Sequence, residues 1–142
     1  MSFLFEKSKE NLVAGELLLQ NGHYSACIHC YYYCCIQLML HYFYSKLGCS
    51  ESSLKAKIDD FKKMSNNKNQ SGLHNIYFGL LRIELKNTES SFAINNLINN
   101  FAALKTNRNN SDYRQCAIIK ENSIKCKQKA DSIVNQLKTY LL

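Results

Sequence analysis

Cys27, Cys30 and Cys34, with His23 before them, follow one another at spacings of four, three and four, so on a helix they share one face. Thiolate and imidazole groups in that register suggest a metal stripe. Structural zinc, however, draws its ligands from converging elements, and four ligands on one straight helix cannot close a tetrahedron. Free Cys is among the most buried residue types and packs as a small hydrophobe. These three, with Cys35, Cys49, Cys116 and Cys126, are therefore read as core side chains, and neither a metal site nor a cofactor is expected. His29, His41 and His74 are candidate acid–base groups, because imidazole changes charge near neutrality. None has a nucleophile or carboxylate at a diagnostic offset, and a lone His on a buried helix more often serves as a hydrogen-bonded structural group. The sequence contains no Gly-rich phosphate loop, no G-x-S-x-G, no H-E-x-x-H and no acidic metal cluster. The commonest hydrolase and nucleoside-triphosphatase chemistries are thereby excluded.

The polar run Thr106-Asn107-Arg108-Asn109-Asn110-Ser111-Asp112-Tyr113 breaks the local pattern. It follows the apolar stripe Ile94, Leu97, Phe101, Leu104, whose next step is Arg108. A guanidinium that continues a buried stripe is costly unless it meets a carboxylate, a helix end or a phosphate. One reading makes this a helix C-terminus, with Arg108 on the last carbonyls and Asp112 capping the next helix. The other makes it an anion or RNA-phosphate site, in which Arg108 is surrounded by hydroxyl and amide donors.

The elements that would position these groups are helices. Among 142 residues, 46% are hydrophobic, Pro is absent and Gly occurs only 5 times. That composition suits one domain of ordinary size and disfavours a turn-rich β architecture. Phe5, Leu12 and Leu19, flanked by Val13, Leu17 and Leu18, mark a first helix over 3–20, which Asn21-Gly22 terminate. A second helix over 24–44 follows as an antiparallel hairpin partner. Residues 48–69 are polar and Lys-rich, and Leu54, Ile58 and Phe61 predict a short amphipathic turn inside a connection. A third helix spans 71–85, and a restart at Asn87-Thr88-Glu89 leads into the Ile94 stripe. Ile119, Ser123, Cys126, Ala130, Ile133, Leu137 and Tyr140 mark a last helix with Lys120, Lys127 and Lys138 outward. The expected fold is all-α, a single domain over 1–142 built as an up-and-down antiparallel helical bundle of four to five helices.

Lys and Arg number 18 against 11 Asp and Glu, a net charge of +7, which permits an anionic partner. Residues 105–142 carry eight of the bases and three acids, so the excess lies at the C-terminal end. The odd Cys count and the absence of a secretory pattern at the N-terminus point to the cytoplasm. Between Glu16 and Lys46 no Asp, Glu, Lys or Arg occurs, a run long enough to span a bilayer. Gln20, Asn21, His23, His29, Gln37 and His41 interrupt it, so no membrane partner is expected.

Gly22-His23-Tyr24, Cys27, Tyr32-Tyr33-Cys34 and the stretch Leu38 to Phe43 resemble the "G-x-Y...A...YYA...LL" signature of HEPN domains (higher eukaryotes and prokaryotes nucleotide-binding), with Cys in two small Ala positions. Lys68-Asn69-Gln70-Ser71-Gly72 is similar to that family's "K-x-H-S-G" segment, and Arg108-Asn109-Asn110-Ser111-Asp112-Tyr113 to its "R-x-x-A-D-Y" segment. Ala130 with Ile133-Val134 is similar to its closing helix. The likeness runs in order over about residues 10–140. It implies an all-α homodimer, often encoded beside a minimal nucleotidyltransferase, that in several branches binds RNA or cleaves it as a toxin. Ribonuclease members carry a His after the Arg, with four to six residues between, where this chain has Tyr113, Arg114 and Gln115.

The leading expectation is an RNA- or nucleotide-binding cytoplasmic dimer of a prokaryotic toxin–antitoxin or stress and defence system. Arg108, Asn109, Arg114, Lys120 and Lys127 would hold the ligand. One alternative is a metal-independent ribonuclease in which Arg108 acts with Asp112 or Tyr113. Tyr at a pKa of about 10 and Asp at about 3.9 are poor bases near pH 7, which makes binding the stronger reading. The other alternative is a non-catalytic partner of a minimal nucleotidyltransferase. The dimer is expected to use the second helix, whose Tyr31, Tyr32, Tyr33, Cys34, Cys35, Ile36, Leu38, Met39, Leu40, Tyr42, Phe43 and Tyr44 point every way around it, more than one chain should bury. Two Arg108 sites would then face one cleft.

Overall fold

The computed structural model describes residues 2–64, 72–113 and 118–142. These form six α-helices and no strand: α1 (Ser2–Gln20), α2 (Tyr24–His41), α3 (Glu51–Lys63), α4 (Leu73–Leu85), α5 (Ser91–Tyr113) and α6 (Lys120–Leu141), with α2 continuing as a π-helical turn over Tyr42–Lys46. Four to five helices were expected, and the addition is α3. Ser50 accepts from the Ser53 amide at 3.1 Å while Ser53 Oγ accepts from the Ser50 amide at 2.8 Å. This reciprocal cap, Glu51 in the first turn and Lys62 and Lys63 in the last all favour a full helix over an isolated turn. Its stripe is used: Leu54 and Phe61 are buried, and the Phe61 ring lies against the backbone of α4 at Gly79, where an added Cβ would collide with the tip of that ring.

Helix α2 is the centre of the molecule. It packs against α1, α5 and α6. The loop between α1 and α2 turns at Gly22, whose φ of 79° is the left-handed conformation that Gly adopts without a Cβ penalty. The helices then run in opposite directions, Phe5 stacking on His41 and Asn11 bonding Gln37. Ser8 donates to the Cys34 carbonyl at 2.9 Å, which satisfies the one buried hydroxyl on this face of α1.

One chain buries most of the apolar circumference of α2 without a second subunit, more than its composition led one to expect. Tyr31, Tyr32, Cys35 and Met39 are 0% exposed, and Cys34, Ile36 and Leu38 no more than 3%. Cys27, Cys34 and Cys35 explain how, since small side chains let neighbouring helices approach closely. What remains open along α2 is a strip through His29, Tyr33 and Leu40.

The stripe of α5 is buried as expected at Ile94, Leu97, Phe101 and Leu104, and that of α6 at Ser123, Cys126, Ala130, Ile133 and Leu137. Burial pushes the Cys126 thiol up to about 11. Val13 and Leu17, read as flanks of the α1 core face, are instead exposed. Among the described residues no helix is long and apolar enough to cross a membrane, and no three His, Cys, Asp or Glu side chains converge to hold a metal ion.

Candidate functional site

Arg108 does not end its helix. α5 runs on to Tyr113, helped by Asn107, which donates to the Ala103 carbonyl, and Ser111, which donates to that of Arg108. Asp112 is thus not the cap of a following helix but stands one turn beyond Arg108 on the same face, with Oδ2 at 3.1 Å from Nε. Both side chains are largely covered, at 15% and 21% exposed. Here the carboxylate offsets the cost of a guanidinium on a core stripe.

Tyrosine rings frame the guanidinium. Its carbon lies 5.7 Å from the centroid of Tyr32, 5.4 Å from Tyr33 and 5.3 Å from Tyr113. Such contacts contribute roughly 0.5–2 kcal/mol each, the more as water is excluded. Nη2 donates to the Tyr33 hydroxyl at 3.0 Å and to that of Tyr113 at 3.3 Å, and Nη1 donates to Asn109 Oδ1 at 3.1 Å. The ion pair leaves Nε–H misaligned, so this buried donor has no hydrogen-bond acceptor. Tyr113, in contrast, is mostly exposed.

Two imidazoles enter the same site from other helices. His29, on α2 one turn before Tyr33, places Nδ1 3.0 Å from Asp112 Oδ2 and packs its ring at 4.7 Å on that of Tyr33. His74, on α4, places Nδ1 2.7 Å from the Tyr32 hydroxyl. Burial, and secondly the positive charges of Arg108 and Lys105, hold the His74 ring below its ordinary pKa. Burial likewise raises Tyr32, so its hydroxyl stays protonated. Lys105, one turn before Arg108, donates to Asn75 Oδ1 at 3.0 Å, which brings a second cation to this side of α5.

Of the residues singled out from the sequence, Arg108, Asn109, Asp112 and Tyr113 therefore meet. Arg114 lies outside the described residues, as do Cys116, Lys68, Gln70 and Ser71. Lys120 begins α6 and is exposed. Lys127 does not offer a free charge: its Nζ is 2.9 Å from Asp131 and 3.6 Å from Glu16, which raise its pKa and neutralise it locally. Its place on a Lys-rich stretch of sequence says nothing of these acids, one of which comes from α1. His29 and His74 were visible as isolated imidazoles, but their partners lie on α5 and α2. Lys105 carried one signal, its spacing of three from Arg108 on the same helix.

Comparison of the chain with protein-family models, with curated proteins and with solved structures finds no match.

The cluster thus combines a fixed cation, hydroxyl groups whose oxygens accept from it and whose own protons remain available, and a solvent-facing aromatic ring. Such a set can receive an anionic oxygen beside a flat apolar group. A phosphate next to a nucleobase has that chemistry.

Proposed function

We propose that this protein is a HEPN-like RNA- or nucleotide-binding homodimer, each subunit one up-and-down antiparallel helical bundle. It would act in the cytoplasm as part of a prokaryotic toxin–antitoxin or stress and defence system. The observation that carries the reading is the Arg108 guanidinium, held between tyrosine rings directly beside the exposed ring of Tyr113. Nη1 and Nη2 donate only to neutral oxygens of Asn109, Tyr33 and Tyr113, and a phosphate oxygen is a stronger, charged acceptor for that planar fork. Tyr113 offers a face on which a base stacks, and its 3.3 Å bond to Arg108 is the weakest of the contacts that a phosphate would replace. Lys105 adds positive potential on the same helix.

Anisotropy of a fluorescein-labelled single-stranded RNA, titrated over a salt series, tests this. Binding should weaken as salt rises. Arg108→Ala should weaken it at least about 10-fold with an unchanged far-ultraviolet helical spectrum, and Arg108→Lys should recover only part, because Lys lacks the planar fork. Neither RNA nor a nucleoside monophosphate binding to the unaltered chain, or binding indifferent to Arg108→Ala, would reject the reading.

A second reading, a non-catalytic partner of a minimal nucleotidyltransferase, is favoured by the exposed apolar pair Val13 and Leu17 on α1. Such a pair suits a protein interface more than a nucleic acid.

A further inference from the structure

We infer that a single RNA strand lies along the outer face of the α4–α5 seam, from Arg108 to a second phosphate seat at Arg82 and Lys86. The inference rests on RNA binding at Arg108 and extends that site into a track carried by one chain. The two helices run antiparallel, and two bonds across the seam fix their register. Lys105 Nζ donates to Asn75 Oδ1 at 3.0 Å, and Arg82 Nη1 donates to Asn95 Oδ1 at 2.7 Å. Asn75, Gly79, Arg82 and Lys86 follow at spacings of four, three and four along α4 and its C-cap, so they share one face. Asn95, Ile98, Ala102 and Lys105 do the same on α5 at spacings of three, four and three. Two clefts open along this seam and meet at Arg82. One, of about 460 Å³, is lined by Arg82, Lys86, Ser91 and Asn95; the other, of about 300 Å³, passes over Gly79 and Ala102 to Asn75, the partner of Lys105.

Charge marks this seam out. Elsewhere Lys9, Lys57 and Lys127 stand against Glu6, Glu84 and Asp131. Among the described residues no carboxylate lies within ion-pair distance of Arg82, Lys86 or Lys105. The oxygens that Arg82 and Lys105 meet belong to neutral carboxamides, which leave both charges unbalanced. Cations set in a row along a groove are the electrostatic footprint of a polyanion rather than of one small anion. The two ends of the groove also match. Arg108 stands beside the exposed ring of Tyr113, and Phe92, next to Ser91 and one turn before Asn95, is 83% exposed. A ring beside a cation suits a base and its phosphate, since every base has a face for stacking. From Asn95 to Arg108 the helix rises about 20 Å, a length of several nucleotides, whereas a mononucleotide reaches one end only. The strand is single because the bases of a duplex, stacked on one another, have no free face for Tyr113 or Phe92.

Anisotropy over a salt series tests the track on the full chain, with a labelled single-stranded RNA of about 12 nucleotides beside a fluorescent nucleoside monophosphate. The RNA should bind at least about 10-fold more tightly than the monophosphate. Arg82→Ala with Lys86→Ala, both at exposed positions, should weaken RNA binding at least about 10-fold and lower its salt slope by about 1.4, the share of two phosphates on a single strand. The same double variant should keep its helical spectrum and its affinity for the monophosphate. Phe92→Ala should weaken binding of the RNA alone. A double variant that binds the RNA with unaltered affinity and salt slope, or an RNA that binds no more tightly than the monophosphate, overturns the track and leaves binding at Arg108 standing. Absence of binding by both ligands to the unaltered chain overturns both.

Discussion

The Tyr32 hydroxyl and Nδ1 of His74 stand 2.7 Å apart, joining α2 to α4 behind the Arg108 guanidinium. Since burial keeps Tyr32 protonated, its hydroxyl donates and the His74 ring proton resides on Nε2. Protonating His74 would put a second donor into that contact.

This pair makes stability depend on pH. Burial, with Arg108 and Lys105, lowers the His74 pKa in the folded chain, so below about pH 6.5 the unfolded chain binds a proton that the folded chain does not. Stability contributed by neutral His74 is therefore full above that pH and lost as the pH falls through it. Urea midpoints at pH 7.5 and 5.5 should drop less for His74→Gln than for the unaltered chain, and equal drops would refute the assignment.

Tyr31 provides a test of packing. Its ring lies against the backbone of α1 at Gly15, where a Cβ would sit 2.7 Å from a ring carbon, and its buried hydroxyl has no hydrogen-bond partner. Gly15→Ala should cost about 1–3 kcal/mol by forcing the helices apart. Tyr31→Phe should stabilise by about 1 kcal/mol, because it removes an unsatisfied polar group and leaves the ring. Chemical denaturation measures both, and a destabilised Tyr31→Phe would mean that the hydroxyl is satisfied after all.

Self-association, if it follows the exposed apolar residues, uses α1. Tyr32 is buried within its own chain, so Tyr32→Glu should unfold the protein rather than separate subunits. Val13→Glu with Leu17→Glu, both at exposed positions, should leave the helical spectrum unchanged and convert a species of twice 16.4 kDa to one of 16.4 kDa in light scattering. A monodisperse monomer of the unaltered chain at micromolar concentration removes the dimer. Tyr31 faces α1 and Tyr33 faces Arg108, two residues apart and so about 200° around α2. An α1 interface would accordingly keep the two Arg108 sites on separate faces instead of forming one cleft.

The helical class and the inner faces of α5 and α6 were legible in the chain, because a period of 3.6 marks the same residues whatever the helix packs against. Ile94, Leu97, Phe101 and Leu104 are buried where their spacing put them, and Arg108 follows on the same stripe. The α3 helix was not legible as a full helix, because its apolar stripe is short and its stability comes from the Ser50–Ser53 cap and from Phe61 seated on α4. Nor was the single-chain burial of α2, which depends on how many neighbours surround a helix and not on its own composition.

For the site, the sequence by itself determined only a spacing: Arg108 and Asp112 stand one turn apart wherever one helix contains both, and α5 running on to Tyr113 supplied that helix. The rest was decided only by the tertiary structure. His29 is separated from Asp112 by 83 positions and His74 from Tyr32 by 42, and no local periodicity relates residues on different helices. Which helix faces which is set by the fit of side chains across their surfaces, here small cysteines on α2, a glycine under Tyr31 and another under Phe61. That fit turns isolated histidines, an arginine and tyrosines into a single charged cluster.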